Sequence, residues 1–233
     1  MNKKCFFTLF LLISFQIKAL VPYEATYVLN ATSDLGSLKV GEANFKLQID
    51  ENNKFIFSSN AFTDSIWKSL YDYSRYEKSI GFNYESGLAI TLYDLIEIED
   101  SDISKNNKIR IFPEKNYAIF NNGEHWETIT NNIVDELSVY LAISEDLQKN
   151  PGKTEFSYQV IDEKGIQLVT FNYQDEESIN IDNMQIKSMK FSSPELKIVL
   201  HVSKEYNYIP LIIDRSISKN RFRLILKEFN ILP

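Results

Sequence analysis

Apolar and polar residues alternate along most of this chain. In "YEATYVLN", Tyr23, Ala25 and Tyr27 fall on one face and Glu24 and Thr26 on the other, the period-two rhythm of a half-buried strand. "SLKVGEANFKLQID" keeps the rhythm but changes phase. Leu38 and Val40 are apolar at even positions, then Ala43, Phe45, Leu47 and Ile49 at odd ones. A one-residue slip beside Gly41 predicts a β-bulge that bends the strand without losing its buried face. "DENNK" reads as a hairpin turn into "FIFSS". The aromatic stretch "AFTDSIWKSLYDYSRYEKSIGFNYESG" predicts a short helical turn, then a strand with Tyr71 and Tyr73 on one side. "LAITLYDLIEIE" is a long strand and "DSDISKNN" a polar loop. "KIRIF" and "YAIFN" are short strands around "PEKN", and "NNG" leads into "EHWETIT".

One segment departs from this pattern. In "NNIVDELSVYLAISEDLQKNPG", Ile133, Leu137, Tyr140, Leu141 and Leu147 share one 3.6-period face, which predicts a helix over about 132–149. Asn131 or Asn132 can cap it, Asp135 and Glu136 suit its first turn, and Asn150-Pro151-Gly152 stops it after Lys149. Strands then resume: "KTEFSYQVID" and "IQLVTFNY" around "EKG", then "SINI", "MQIKSMKFS", "LKIVLHVS", "YIPLIID" and "RFRLILKEFNI". About a dozen strands predict a mainly β fold, an antiparallel barrel or strongly curved sheet, with one α-helix. No repeat or linker divides residues 20–233, so they are expected to form a single β-rich domain. Pro210, which cannot donate to a ladder, is expected at the start of its strand or at a break. The run Ile209, Leu211, Ile212, Ile213 implies a strand covered on both faces.

The first residues change the picture of where the protein works. Lys3 and Lys4 precede an apolar run, Phe6 to Phe15, and "IKA" ends in the small Ala19. This layout predicts a signal peptide over residues 1–19, cleaved before Leu20, and a periplasmic or secreted protein. A spanning helix needs about 20 apolar residues, so no transmembrane anchor is expected in the mature chain. The single Cys, Cys5, precedes the apolar run, which removes lipidation and leaves no disulfide after cleavage. The formal charge is −7, and losing Lys3, Lys4 and Lys18 makes it more negative. Such a surface repels phosphate backbones, and nucleic acid is not an expected partner.

Candidate chemistry is sparse. The two histidines, His125 in "GEHWET" and His201 in "LHVSK", read as strand residues. No zinc spacing, nucleophile elbow, P-loop or dinucleotide fingerprint occurs, and neither metal nor cofactor is expected. In "EDSDISKNN", Asp100, Asp102 and Ser104 echo a calcium loop, but Lys105 stands where its glycine belongs and Ile111 where its closing carboxylate belongs, so the stretch reads as a solvated turn. The aromatic residues offer more. Trp67, Tyr71, Tyr73, Trp126 and Tyr140 are candidates to line an apolar ligand site, although small barrels also need such side chains simply as filling.

"YEATY", "SIWKSLYDY", "DELSVY" and "YNYIPLII" follow one another in that order. With them the chain resembles the exported bacterial proteins grouped as domain of unknown function 3108, over roughly Tyr23 to Ile231. The resemblance implies a secreted or periplasmic β-rich protein and supplies no catalytic residues. In similar proteins a basic residue often follows the closing proline, whereas Leu211 and Ile212 stand here. The expected function is a non-catalytic envelope protein that binds or carries an apolar ligand such as a lipid. The alternative is a protein-interaction or structural module with an envelope protein as partner.

Overall fold

The structure is a computed structural model that describes residues 20–33, 36–69, 71–121, 123–127, 133–181, 183–217 and 220–233. The expected signal peptide and the capping role of Asn131 or Asn132 lie outside these residues. Fifteen strands are described: β1 (Tyr23–Ser33), β2 (Gly36–Ile49), β3 (Lys54–Thr63), β4 (Tyr73–Tyr84), β5 (Gly87–Glu99), β6 (Asp102–Phe112), β7 (Tyr117–Ile119), β8 (His125–Glu127), β9 (Ile133–Asp135), β10 (Glu155–Asp162), β11 (Gly165–Ile181), β12 (Met184–Ser193), β13 (Ile198–Val202), β14 (Pro210–Ile217) and β15 (Asn220–Ile231). Two helices accompany them, the single turn α1 (Ser65–Lys68) and the longer α2 (Ser138–Lys149).

All fifteen strands form one sheet. Its centre is the pair formed by the two ends of the described chain, β1 and β15, with Tyr23 opposite Ile231. From there the strands run outward in sequence order, β2 to β8 on one side and β14 down to β9 on the other. Every pairing is antiparallel except β9 on β10. The sheet is strongly curved but does not close, because β8 and β9, its two edges, share no ladder. Side chains span the remaining gap: Ser79 on β4 donates to Asp135 on β9 at 2.7 Å.

The curvature has local causes. The expected slip is present: the β1–β2 register shifts between Leu29 and Asn30, opposite Gly41. A side chain could not replace this glycine, since a Cβ there would lie 2.0 Å from the Phe62 carbonyl oxygen. Gly81 sits at a second bulge, between Ile80 and Gly81 on the β4–β5 ladder. Inside the curve, Tyr27 packs on Phe45 at 4.9 Å and Phe45 on Phe57 at 5.8 Å. Phe156 meets Phe191 at 5.2 Å in the other half of the sheet. Burying each such side chain contributes about 1.5–3 kcal/mol.

Helix α2 fills the interior. Ser138 to Glu145 are all buried, and Tyr140 reaches Phe45 at 6.4 Å. Leu137 and Leu141, on the expected apolar face, are each 1% exposed. The helix starts later than 132, however. Ile133 to Asp135 form β9, in parallel register with Gln159 to Ile161. β-branched Ile133 and Val134 suit a strand, and the cap is Asp135. Its Oδ1 accepts from the backbone N–H groups of Leu137 (2.9 Å) and Ser138 (2.7 Å), while Ser138 Oγ accepts from the Asp135 N–H at 2.9 Å. This reciprocal pair is a capping box with Ser in the place of Glu.

Two further expectations change. "DSDISKNN" is not a loop: Asp100 and Ser101, both at positive φ, form a two-residue hairpin turn, and β6 begins at Asp102. Asp102 and Ser104 therefore belong to a strand. "IQLVTFNY" and "SINI" are likewise one continuous strand, β11, which passes through the acidic "QDEE" with a bulge beside Tyr173. Pro210 opens β14 as expected, after a 3-10 turn at Lys204–Tyr206, and Ile209, Leu211, Ile212 and Ile213 are buried. Its carbonyl accepts from the Tyr27 hydroxyl at 2.8 Å.

Candidate functional site

Strand β4 is inverted relative to its hydropathy. Tyr76, Ile80 and Phe82 share one face, while Arg75, Glu77, Ser79 and Gly81 share the other. Hydropathy places the first set inside, yet Ser79 and Gly81 are buried and Tyr76 is 44% exposed. The register sets Arg75 beside Glu97 and Glu77 beside Leu95 on β5, all facing inward. One end of the concave face is thus apolar and filled by α2, and the other end is charged.

Arg75 organises the charged end. Its guanidinium grips Glu77 with two hydrogen bonds, Nε to Oε2 at 2.8 Å and Nη2 to Oε1 at 2.9 Å. It also donates to Glu97, and to Glu136 in the turn before α2 at 3.2 Å. Arg215 on β14 reaches the other oxygen of Glu136 at 2.6 Å. Tyr93 donates to Glu77 at 2.6 Å and Tyr73 to Glu97 at 3.2 Å. Glu163, in the β10–β11 turn, takes Lys105 at 3.4 Å and Asn107 from β6. The cluster therefore ties β4, β5 and β6 to the opposite side of the unclosed sheet, where a ladder would stand in a closed barrel.

Burial and charge act against each other here. Burial pushes the Glu77 carboxyl up, but the charge and hydrogen bonds of Arg75 and the Tyr93 hydroxyl outweigh it, and the net shift is downward. For Arg75, burial disfavours the charge and Glu77 more than restores it, holding the guanidinium protonated. Asp135 goes the other way: burial raises it from 3.8 to about 6, against the hydrogen bonds of Ser138, Ser79 and Leu137. Its Oδ2 is enclosed and has no hydrogen-bond partner. His201 is buried, with Nδ1 3.5 Å from Ser188 Oγ, and burial lowers its pKa.

Beside this cluster opens a cleft of about 340 Å³. Glu136 and Arg215 lie at it, with Asp162, Lys164, Glu195 and Lys197 from the β10–β11 and β12–β13 turns. Arg215 is committed to Glu136. Neither Lys164 nor Lys197 forms an ion pair among the described residues. Their ammonium groups are free to meet a ligand.

The five aromatic candidates do not form one site. Tyr71 stacks on Tyr73 at 5.9 Å, and Tyr73 touches the ion cluster through Glu97. Tyr140 borders the same cluster from α2; burial raises its phenol to about 12, with Arg215 opposing and Glu77 and Glu136 adding. Trp67 is half-buried on α1. Trp126 stacks on Phe120 at 5.6 Å near the β8 edge. The charged residues Arg75, Glu77, Glu97, Glu136 and Arg215 were not legible as a group. The available signal was a strand whose charges keep the phase of Ser79 and Gly81, and pairing partners were needed to read it.

The fold and this cluster define a β-barrel-like protein: an open, strongly curved antiparallel sheet wrapped around one helix. No protein-family model matches the chain, and no curated protein matches it. Among solved structures, a β-barrel-like protein of domain of unknown function DUF1849 from Brucella abortus is similar. It has a TM-score of 0.61 and 11% sequence identity, and the match covers 92% of this chain and 99% of that one. At such identity the likeness concerns the fold. Among the described residues no helix is long and apolar enough to cross a membrane.

Proposed function

We propose that this chain is an exported, non-catalytic module of the bacterial cell envelope, related to the domain of unknown function 3108 proteins, that binds another envelope protein through the charged cleft beside Arg215. The observation that carries this reading is a cleft lined by one ion pair, Glu136 with Arg215, and by four further charged side chains, Asp162, Lys164, Glu195 and Lys197, that form no ion pair among the described residues. A partner segment carrying both signs of charge supplies their complement, and such contacts speed encounter and select partners. The strongly perturbed carboxylates speak for structure over catalysis, since Asp135 caps α2 and Glu77 is held by Arg75. The inner face beside α2, where an apolar ligand would sit, is occupied by Phe45, Phe57 and Tyr140. Exposed Ile66 and Tyr71, near Tyr73, favour the second reading, contact with a lipid or acylated peptide.

Photo-crosslinking in the producing cell from a reactive side chain at Gln167, which lines the cleft, tests this. The expected result is one discrete protein adduct, lost in a Lys164→Glu, Lys197→Glu double variant that melts like the parent. Organic extraction of protein from the envelope fraction should release no stoichiometric lipid. Stoichiometric lipid with no protein adduct would establish the apolar reading instead.

A further inference from the structure

A second concavity, about 400 Å³, runs across β1 to β5, lined mainly from the outer face of the sheet, with Ser59 and Glu77 also at it. That volume lies within the roughly 300–1,000 Å³ of small-ligand sites. A twisted sheet is saddle-shaped, so even its outer face is concave along one diagonal. Cross-strand register lays two rows of side chains over this groove. One row is neutral: Asn44 opposite Asn60, Asn60 opposite Tyr76, Tyr76 opposite Ile96. The other sets Lys46 opposite Ser58 and Ser58 opposite Lys78.

Several of these groups have unused bonding capacity. The Asn60 amide oxygen is enclosed and unpartnered. Asn44 accepts from Thr26 at 2.9 Å, and its N–H groups have no partner among the described residues. Lys78 likewise has no ion pair there. An enclosed carbonyl without a donor is costly, and a ligand hydroxyl that reaches it recovers that cost. Tyr76, 44% exposed, stands directly across from Asn60 in the register.

We propose that this groove binds a neutral oligosaccharide segment. The ring of Tyr76 and the side chain of Ile96 offer an apolar floor for the C–H face of a pyranose, and the amides, Ser58 and Lys78 meet its hydroxyls. The charges argue against an anionic ligand, because Glu24 and Asp94 face the groove beside Lys46 and Lys78. An added peptide strand is disfavoured too. β1 to β5 are all interior strands with a ladder on both sides, so no backbone row is left to pair. Recognition must come from side chains, and here those are the types that read hydroxyl groups.

Calorimetric titration of the purified protein with chitotetraose, cellotetraose and maltotetraose tests the assignment. At least one sugar should bind saturably. Tyr76→Ala should weaken it about tenfold or more, the value of one well-made contact, while Tyr76→Phe keeps the ring and most of the affinity. Asn60→Ala should weaken it comparably. Tyr76 is exposed, so its variants remain readable even if Asn60→Ala lowers stability. Absence of saturable binding for all three sugars at millimolar concentration would overturn the proposal, as would binding that none of these substitutions alters. Binding of a hexa-peptide of Gly and Ser with the sugars inert would reassign the groove to a protein partner. None of these outcomes depends on the cleft beside Arg215, which lies on other elements.

Discussion

Asp135 carries three roles in one carboxyl group: it ends β9, caps α2 and receives Ser79 from across the open side of the sheet. The combination needs full burial, and burial raises its pKa to about 6. A raised carboxyl pKa means that the native state favours the protonated form. The stabilisation this brings is complete below the unfolded value of 3.8 and is lost as pH rises through about 6. At neutral pH the fold then holds a carboxylate at a cost of about 3 kcal/mol. Asp135→Asn keeps an oxygen for the cap and removes the charge. Urea melts should show the variant gaining on the parent between pH 4 and pH 7, by up to that amount. Parallel profiles would mean that the carboxyl titrates normally. The comparison must be between the two proteins, because Glu77 and Asp214, both lowered, lose stabilisation as pH falls.

Among the elements, α2 depends most on its surroundings. Its twelve residues are too few to be stable alone, and they are held by burial on nearly all sides. Two of its polar side chains bond into the surroundings: Ser144 donates to the carbonyls of Tyr140 and Tyr208, and Gln148 Nε2 to that of Asn207, while Gln148 Oε1 is enclosed without a partner. Leu141→Ala removes a side chain that is 1% exposed and should cost about 2–5 kcal/mol in a denaturant melt. An unchanged midpoint would place the helix outside the core. β14 is the contrasting case. Pro210 opens it and has no ladder N–H to lose, so Pro210→Ala should change stability by about 1 kcal/mol or less. Tyr27→Phe, which deprives the Pro210 carbonyl of its 2.8 Å donor, should cost about 1 kcal/mol.

For the whole molecule, the decisive feature is that the sheet curves almost into a barrel without a closing ladder. Side-chain bonds hold its two sides together, and Arg75, anchored on its own side by Glu77 and Glu97, reaches across to Glu136. Its side chain is 16% exposed, and removing it leaves the buried Glu77 carboxylate without a cation, while Glu97 keeps Lys105 and Glu136 keeps Arg215. Arg75→Met should cost about 3–5 kcal/mol, and hydrogen exchange should speed up first in β9 and the turn carrying Glu136. Uniform exchange changes, or none, would show that packing against α2 alone keeps the sheet curved.

The β content, the bulge at Gly41, the buried face of α2 and the place of Pro210 were legible in the sequence. Each rests on local rules: period-two alternation, a phase slip beside a glycine, 3.6-residue spacing, and a ring without an N–H. Sequence also singled out Tyr73 and Tyr140, both at the margin of the charged cluster, because large aromatic side chains are conspicuous in any short window. Tertiary structure decided the rest. Residues 133–135 became a strand because β10 was there to pair with them, and "DSDISKNN" became one because a two-residue turn folded it back on β5. The inward face of β4 could not be read from hydropathy, which points the other way. Arg75 and Glu77 can be buried only because Glu97 and Tyr93 on β5 and Glu136 before α2, itself held by Arg215 on β14, arrive to pair with them. A buried charge is stable only with its partners in place, and in this protein those partners are brought together by the curvature of the sheet.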